Sequence, residues 1–285
     1  MATPLTAERE IDHSGVKRVV DYFIDAGING MSILGTTGEC NGLRREQRHE
    51  MLDAVLEVND GRGVIFTGAA GTVASDIVDD LKKMDKPGVS GVLVPPPFYY
   101  PLDNQGVIEF YQYVADESPM PVILYNIPQV TKVTISVDAV ETLAKHPNVL
   151  GIKDSSGNYN GFTHFARVAK QFPGFTVLTG ADANLFGCLM IGGHGIIGGT
   201  VNAAPALEAK IFKAFKNGDH QKAQELQYTL TQVVDVCKVG TGPAGYKAAL
   251  VLNGLCGGYM THPLQWLTNE QMTNMRSGLS KLGVL

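Results

Sequence analysis

Four groups of side chains in this sequence have the type and setting to do covalent chemistry on a carbonyl compound. Lys153 ends the run Val149-Leu150-Gly151-Ile152-Lys153 and, alone among the lysines, is embedded in a strand-like apolar segment. Burial disfavours its ammonium form, so the charge must be satisfied or the proton lost. An amine driven towards neutrality is a nucleophile for a ketone. The alternative is an ion pair with the adjacent Asp154. Tyr125 ends the preceding apolar run, in Leu124-Tyr125-Asn126-Ile127-Pro128. A phenol beside an amine suits the proton transfers of carbinolamine formation and dehydration. Its alternative is a ring that packs and a hydroxyl that meets water.

The third group is Gly35-Thr36-Thr37-Gly38-Glu39, where two hydroxyls and backbone N–H groups between glycines make a nest for a carboxylate. Neither Walker A nor GxGxxG spacing is present, which weakens a phosphate reading there. Residues 192–199 could hold a phosphate, a common use of the last strand of a barrel, but the expectation is backbone approach to a carboxylate. The fourth group is Tyr99, in Pro95-Pro96-Pro97-Phe98-Tyr99-Tyr100-Pro101, an aromatic loop that reads first as a packing or subunit-contact element. Cys40 adjoins the threonine loop but has no partner nearby in sequence to activate its thiol.

What must position these residues is a repeated alternation of short apolar runs and longer amphipathic stretches. Strands are predicted over 30–35, 64–69, 91–95, 121–126, 149–154, 175–180 and 195–200, without the polar alternation of a half-exposed sheet. Helices are predicted over 13–26, 44–58, 74–84, 105–117, 136–145, 160–171 and 183–190, with Thr72, Ser75 and Ser136 as start signals. This alternation implies parallel strands joined by right-handed crossovers, an α/β fold of the (β/α)8 TIM-barrel type. An eighth strand can come only from Met1–Leu5, which is short for the purpose. The expectation is a shortened first strand with a locally open barrel floor, or a natural start further upstream. Residues 1–203 then form the barrel, and 204–285 supply about four helices, broken near 240–245, as a C-terminal extension.

The bulk numbers agree with one large core. The chain has 285 residues, 44% hydrophobic and 18% charged, with a formal net charge of −5 and no basic cluster. This excludes a disordered chain and argues against a nucleic-acid surface. No run is long enough for a membrane span. Cys40, Cys188, Cys237 and Cys256 show neither CxxC nor metal-ligand spacing and read as reduced thiols of a cytoplasmic protein.

Together these motifs resemble the dihydrodipicolinate synthase and N-acetylneuraminate lyase family of pyruvate-dependent class I aldolases, over nearly the whole chain. Gly35–Glu39, Tyr125–Pro128 and Gly151–Asp154 occur in the family's order and spacing. The resemblance implies that Lys153 forms the imine with pyruvate and Tyr125 shuttles protons. It implies that Thr36 and Thr37 hold the carboxylate, with Thr37 and a Tyr99 contributed across a dimer interface completing the relay. Gly180, Asp182 and Ile197 are implied as further substrate-binding positions. The imine itself stabilises the carbanion at C3, so no metal or organic cofactor is implied. The partners implied are pyruvate, an aldehyde, and copies of the same chain in a dimer of dimers.

Two departures from the family pattern bear on the substrate. Dihydrodipicolinate synthases place an arginine, which binds the carboxylate of aspartate semialdehyde, where Val130 follows Gln129. An isopropyl group cannot replace a bidentate guanidinium. Sialic-acid lyases usually place a glutamate where Ala183 follows Asp182. The expectation is therefore an aldolase that cleaves or forms a 4-hydroxy-2-oxo acid of the 2-keto-3-deoxy sugar-acid type. The alternatives are 4-hydroxy-tetrahydrodipicolinate synthase, N-acetylneuraminate lyase, 4-hydroxy-2-oxoglutarate aldolase, a dehydratase on the same scaffold, and a non-catalytic 2-oxo-acid binder.

Overall fold

Seven strands form one sheet, hydrogen-bonded in chain order, in a computed structural model that describes residues 1–285. They are β1 (Gly30–Ile33), β2 (Val64–Gly68), β3 (Val89–Val94), β4 (Val122–Asn126), β5 (Val149–Asp154), β6 (Thr176–Thr179) and β7 (Gly195–Ile196). Every pairing from β3 to β7 is parallel. β4 is buried at every position and β5 at all but one, as strands covered on both faces must be.

Helices follow the strands as the alternation requires. α1 (His13–Asp25) precedes β1, and α2 (Arg45–Asn59), α3 (Ala74–Met84) and α4 (Asn104–Glu117) follow the first three strands. A single turn, α5 (Pro128–Thr131), and then α6 (Val137–Leu143) follow β4; α7 (Tyr159–Gln171) and α8 (Leu185–Met190) follow β5 and β6. The C-terminal region supplies α9 (Pro205–Lys216), α10 (His220–Cys237), α11 (Ala244–Leu252) and α12 (Asn269–Lys281), with the break before α11 where the glycines lie. Ser136 caps α6 as expected, its hydroxyl accepting from Ala139 N at 3.0 Å. α3 differs: Val73 stands at its N-cap, and neither Thr72 nor Ser75 caps it. Its acidic first turn and basic last turn favour it through the helix dipole instead.

Two expected strands are altered. The last is only Gly195–Ile196, after which the chain leaves extended geometry and enters a 3-10 turn at Thr200–Asn202. Glycine offers no side chain to pack on a sheet, and Gly198 lies so close to the Asp182 carboxylate that a Cβ would overlap it. At the N-terminus, no regular strand forms: Leu5 makes only an isolated antiparallel bridge to Ile11. Residues 1–5 are nevertheless buried. The Met1 amine donates to Ser32 O of β1 at 2.8 Å, and Ala2 N donates to the Asn202 side chain at 2.8 Å. Proline at position 4 has no N–H and the Ala2 N–H is taken by a side chain, so no ladder can propagate.

The chain packs as two compact units, Met1–Ile65 with Gly199–Leu285, and Phe66–Gly198. In the first, buried residues of the C-terminal helices, among them Val233, Ala248, Met275 and Leu279, pack with Ala203 and Met260. In the second, Leu93, Ile123, Tyr125 and Ile127 form a cluster under the ends of β3 and β4. No helix is long and apolar enough to cross a membrane.

Asn202 is fully buried and divides its amide between Ala2 N and Gly199 O, the latter accepting from Nδ2 at 2.7 Å. Asn202→Ala leaves both backbone groups without these partners and should destabilise the protein by about 2 kcal/mol. Urea unfolding of the two proteins measures the difference; equal midpoints and slopes would show that these bonds do not hold the N-terminal segment.

Candidate active site

β4, β5 and β6 bring several of the candidate residues together through register. Parallel pairing sets Tyr125 beside Lys153 and Asn126 beside Asp154, and Lys153 in turn beside Leu178. Residues level on neighbouring strands project to the same face, so the phenol and the amine meet. Lys153 is only 8% exposed, and its Nζ lies 4.1 Å from the centroid of the Tyr125 ring. The negative face of the ring stabilises an ammonium without a counter-charge.

Asp154 does not take the lysine as its partner, because successive residues of a strand point to opposite faces. Its Oδ1 accepts from Asn126 Nδ2 at 2.7 Å and Ser156 N at 3.1 Å, and its Oδ2 from Ser156 Oγ at 3.0 Å. Burial pushes its carboxyl above the ordinary value, and the bonds from Ser156 and Asn126 oppose that rise. Asn126 Oδ1 in turn accepts from Ile135 N at 3.0 Å, which ties the loop after β4 to the end of β5. Gln129 Nε2 donates to Ser155 O at 2.9 Å. Val130, next to it, is 51% exposed and contributes no polar group.

Gly180 follows β6, and its N–H donates to Asp154 O at 2.7 Å. A Cβ here would lie 2.7 Å from Lys153 Cε and overlap Ser155 Oγ, so any side chain at this position would force Lys153 or Ser155 to move. Ile197 N donates to Thr179 O at 2.9 Å and is half-buried just past β7. Asp182 is buried at the start of a 3-10 turn, its carboxylate against Gly198. Lys153 thus meets both Tyr125 and Gly180, while Asp182 lies against Gly198. Cys188 is no nucleophile in this setting; burial pushes its thiol up to about 11, against a bond with Thr179.

Tyr99 stands apart from these contacts. It is 84% exposed, has φ +95°, and packs edge-to-face on Tyr100 at 5.1 Å between ring centroids.

The threonine loop belongs to the other unit. It leaves β1 through Leu34 at φ +56° and ends on Glu39 at φ +59°, both in the left-handed region. Thr36 is exposed and Thr37 half-buried. Glu39 N donates to Thr36 O at 3.1 Å and Cys40 N to Gly35 O at 3.4 Å, so those two donors serve the loop's own turn rather than a ligand. Behind the loop lies a pair to which the sequence reading assigned no role. The carboxylate of Glu39 forms an ion pair with Lys247 of α11, both side chains having no exposure at all. Burial lowers the Lys247 amine, and the Glu39 carboxylate opposes the shift. The one signal in the sequence is a lysine within the apolar run Ala244–Leu252.

Comparison with known proteins gives this arrangement its context. The family model described as the dihydrodipicolinate synthetase family matches residues 1–282. A 4-hydroxy-tetrahydrodipicolinate synthase of Gluconacetobacter diazotrophicus is 32% identical over 287 residues, covering 100% of this chain and 96% of that protein. YagE of Escherichia coli K12, by name a candidate 2-dehydro-3-deoxy-D-gluconate aldolase, is 32% identical over 257 residues, 89% of this chain and 85% of YagE. The crystal structure of YagE in complex with pyruvate superposes with a TM-score of 0.95 at 29% identity, covering 100% of this chain and 97% of that one. Dihydrodipicolinate synthase from Thermotoga maritima gives 0.96 at 28% identity, covering 100% and 97%. The fold class is therefore the expected α/β barrel with C-terminal helices, realised here with seven regular strands. The chain belongs to the dihydrodipicolinate synthetase family. It is a lyase of the class I, Schiff-base-forming, pyruvate-using kind.

Gly180→Ala tests the crowding around the lysine. The added methyl must displace Lys153 or Ser155, and a misplacement of about 1 Å at a reacting atom lowers rates on the order of a hundredfold. The expected result is a folded protein with an unaltered far-ultraviolet spectrum and a hundredfold slower borohydride trapping of pyruvate. Wild-type trapping would mean that the site absorbs the methyl freely.

Proposed function

We propose that this enzyme cleaves and forms a 2-keto-3-deoxy sugar acid, with pyruvate and a hydroxylated aldehyde as the other side of the equilibrium. The observation that carries the proposal is the contact of the Lys153 amine with the Tyr125 ring at 4.1 Å, at the ends of two adjacent strands. The neutral amine adds to the keto carbon of pyruvate, and water leaves as the imine forms. Tyr125 delivers and recovers the protons of these steps, within a relay that includes Thr37. Loss of a C3 proton then yields an enamine, which adds to the aldehyde carbon; hydrolysis of the new imine releases product and the free lysine. Thr36 and Thr37 hold the substrate carboxylate, and Gly180, Asp182 and Ile197 line its binding positions. The imine is the electron sink, so the cycle balances without a cofactor.

The choice of aldehyde turns on Val130. An exposed isopropyl group stands where a guanidinium would bind a second carboxylate, and the neighbouring Gln129 amide is already bonded to Ser155 O. Lysine biosynthesis remains the second reading, favoured by the names of several relatives about 30% identical over the whole chain.

We further assign the enzyme to a homo-oligomer, a dimer of dimers, in the cytoplasm. Tyr99 and Tyr100 are 84% and 73% exposed side by side, an aromatic patch that a subunit interface would cover. In such an assembly Tyr99 of the partner subunit completes the relay of Thr37 and Tyr125. All four cysteines are free, as in a reducing compartment.

Borohydride with pyruvate should label one residue, Lys153, and Lys153→Arg should abolish both labelling and turnover, since a guanidinium forms no imine. Label on any other lysine would overturn the mechanism. With pyruvate saturating, kcat/KM for aspartate semialdehyde should be at least about tenfold below that for glyceraldehyde, the worth of one missing charge-assisted contact. The reverse order would establish the second reading. Sedimentation at assay concentration should show a dimer or larger; an active monomer would remove Tyr99 from the relay.

A further inference from the structure

A fully buried ion pair is a poor way to stabilise a fold. Desolvation of both charges offsets their attraction, and a well-packed apolar pair of similar volume often does as well or better. Glu39 and Lys247 form such a pair, in the first unit, behind the loop that presents Thr36 and Thr37.

Every polar atom of the pair has a defined partner. Glu39 Oε1 faces Lys247, and Oε2 accepts from Thr261 N at 2.7 Å and Thr261 Oγ1 at 2.9 Å. Lys247 Nζ also donates to Tyr259 O at 2.7 Å. The carboxylate therefore ties Glu39 both to α11 and to Thr261, which lies 222 residues further along the chain than Glu39.

The backbone of Glu39 is as constrained as its side chain. A glutamate at φ +59° is in a region that L side chains seldom adopt, and it persists only where the surroundings determine it. From that position its N–H holds Thr36 O at 3.1 Å. Gly38 O accepts from Thr3 Oγ1 at 2.6 Å, and a Cβ on Gly38 would lie 2.9 Å from Leu34 N. The loop is thus closed on itself through Glu39, with no slack at Gly38. A change in the Glu39 backbone must be transmitted to Thr36 and Thr37.

We propose that Glu39 and Lys247 are positioning residues: the buried pair locks Glu39 in its left-handed conformation and so holds Thr36 and Thr37 in the geometry that binds the carboxylate of the 2-oxo acid. This inference rests on the reading of Thr36 and Thr37 given above. It specifies that affinity for pyruvate, rather than stability alone, is what the pair maintains.

The test is the pyruvate dependence of borohydride labelling at Lys153, with thermal unfolding measured alongside. Glu39→Gln/Lys247→Met removes both charges together, so neither is left buried alone. Thr261→Val removes only the hydroxyl bond to Oε2 and keeps the ion pair. The double variant should raise the half-saturating pyruvate concentration about tenfold and Thr261→Val about threefold. In both, the label at saturating pyruvate should still fall on Lys153. If the double variant does not fold, Thr261→Val decides alone. A folded variant with a shifted melting temperature and wild-type pyruvate saturation would show a merely structural pair and overturn the inference. No labelling of the unaltered protein would instead refute the imine at Lys153, and this inference with it.

Discussion

The site depends on keeping an amine nearly dry at the end of an internal strand without giving it a carboxylate. A buried lysine that finds a counter-charge stays an ammonium, and one that finds water is no longer activated. Here the partner is the face of a phenol. Its negative face accommodates a cation, and its ring carries a hydroxyl beside the amine. The parallel register of β4 and β5 makes that contact, since Tyr125 and Lys153 are level in the ladder. The backbone of Gly180 then closes on the lysine stem where any side chain would intrude.

The two buried lysines of this chain show what the choice of partner does. Lys247 has a carboxylate, a backbone carbonyl and no exposure, and it holds a structure in place. Lys153 has an aromatic ring and slight exposure, and no carboxylate partner. Residue type is the same in both, and both are buried. What differs is the partner at the nitrogen, a carboxylate in one case and a ring face in the other.

Asp154 shows the same economy in the opposite sense. It is next to Lys153 in the chain and would be its obvious partner, yet strand alternation sends it away to Asn126 and Ser156. There it braces the loops that follow β4 and β5. The brace extends through Ile135 and is accompanied by Gln129 on Ser155 O, so the backbone around the Lys153 amine is held from several directions. Such bracing is what keeps reacting groups within the small displacements that catalysis tolerates.

Much of this was legible in the residues alone, for a physical reason. Strands buried on both faces must be apolar runs, so the seven central strands and their order can be read directly, and with them the placement of Lys153 and Tyr125 at strand ends. The motif around each, together with Val130 where an arginine is usual, likewise needs only the sequence. Four features did not, and each depends on distance in space between residues remote in the chain. Met1–Leu5 is buried but forms no strand, because a side chain of Asn202 takes the Ala2 N–H that a ladder would need. The last strand ends at Ile196, where Gly198 meets the Asp182 carboxylate. Gly180 lies against the lysine stem of a neighbouring strand. Glu39 and Lys247 meet only once α11 is packed. Local periodicity carries burial and direction, which the sequence determines; which buried polar group meets which is a matter of packing, and the tertiary structure decided it.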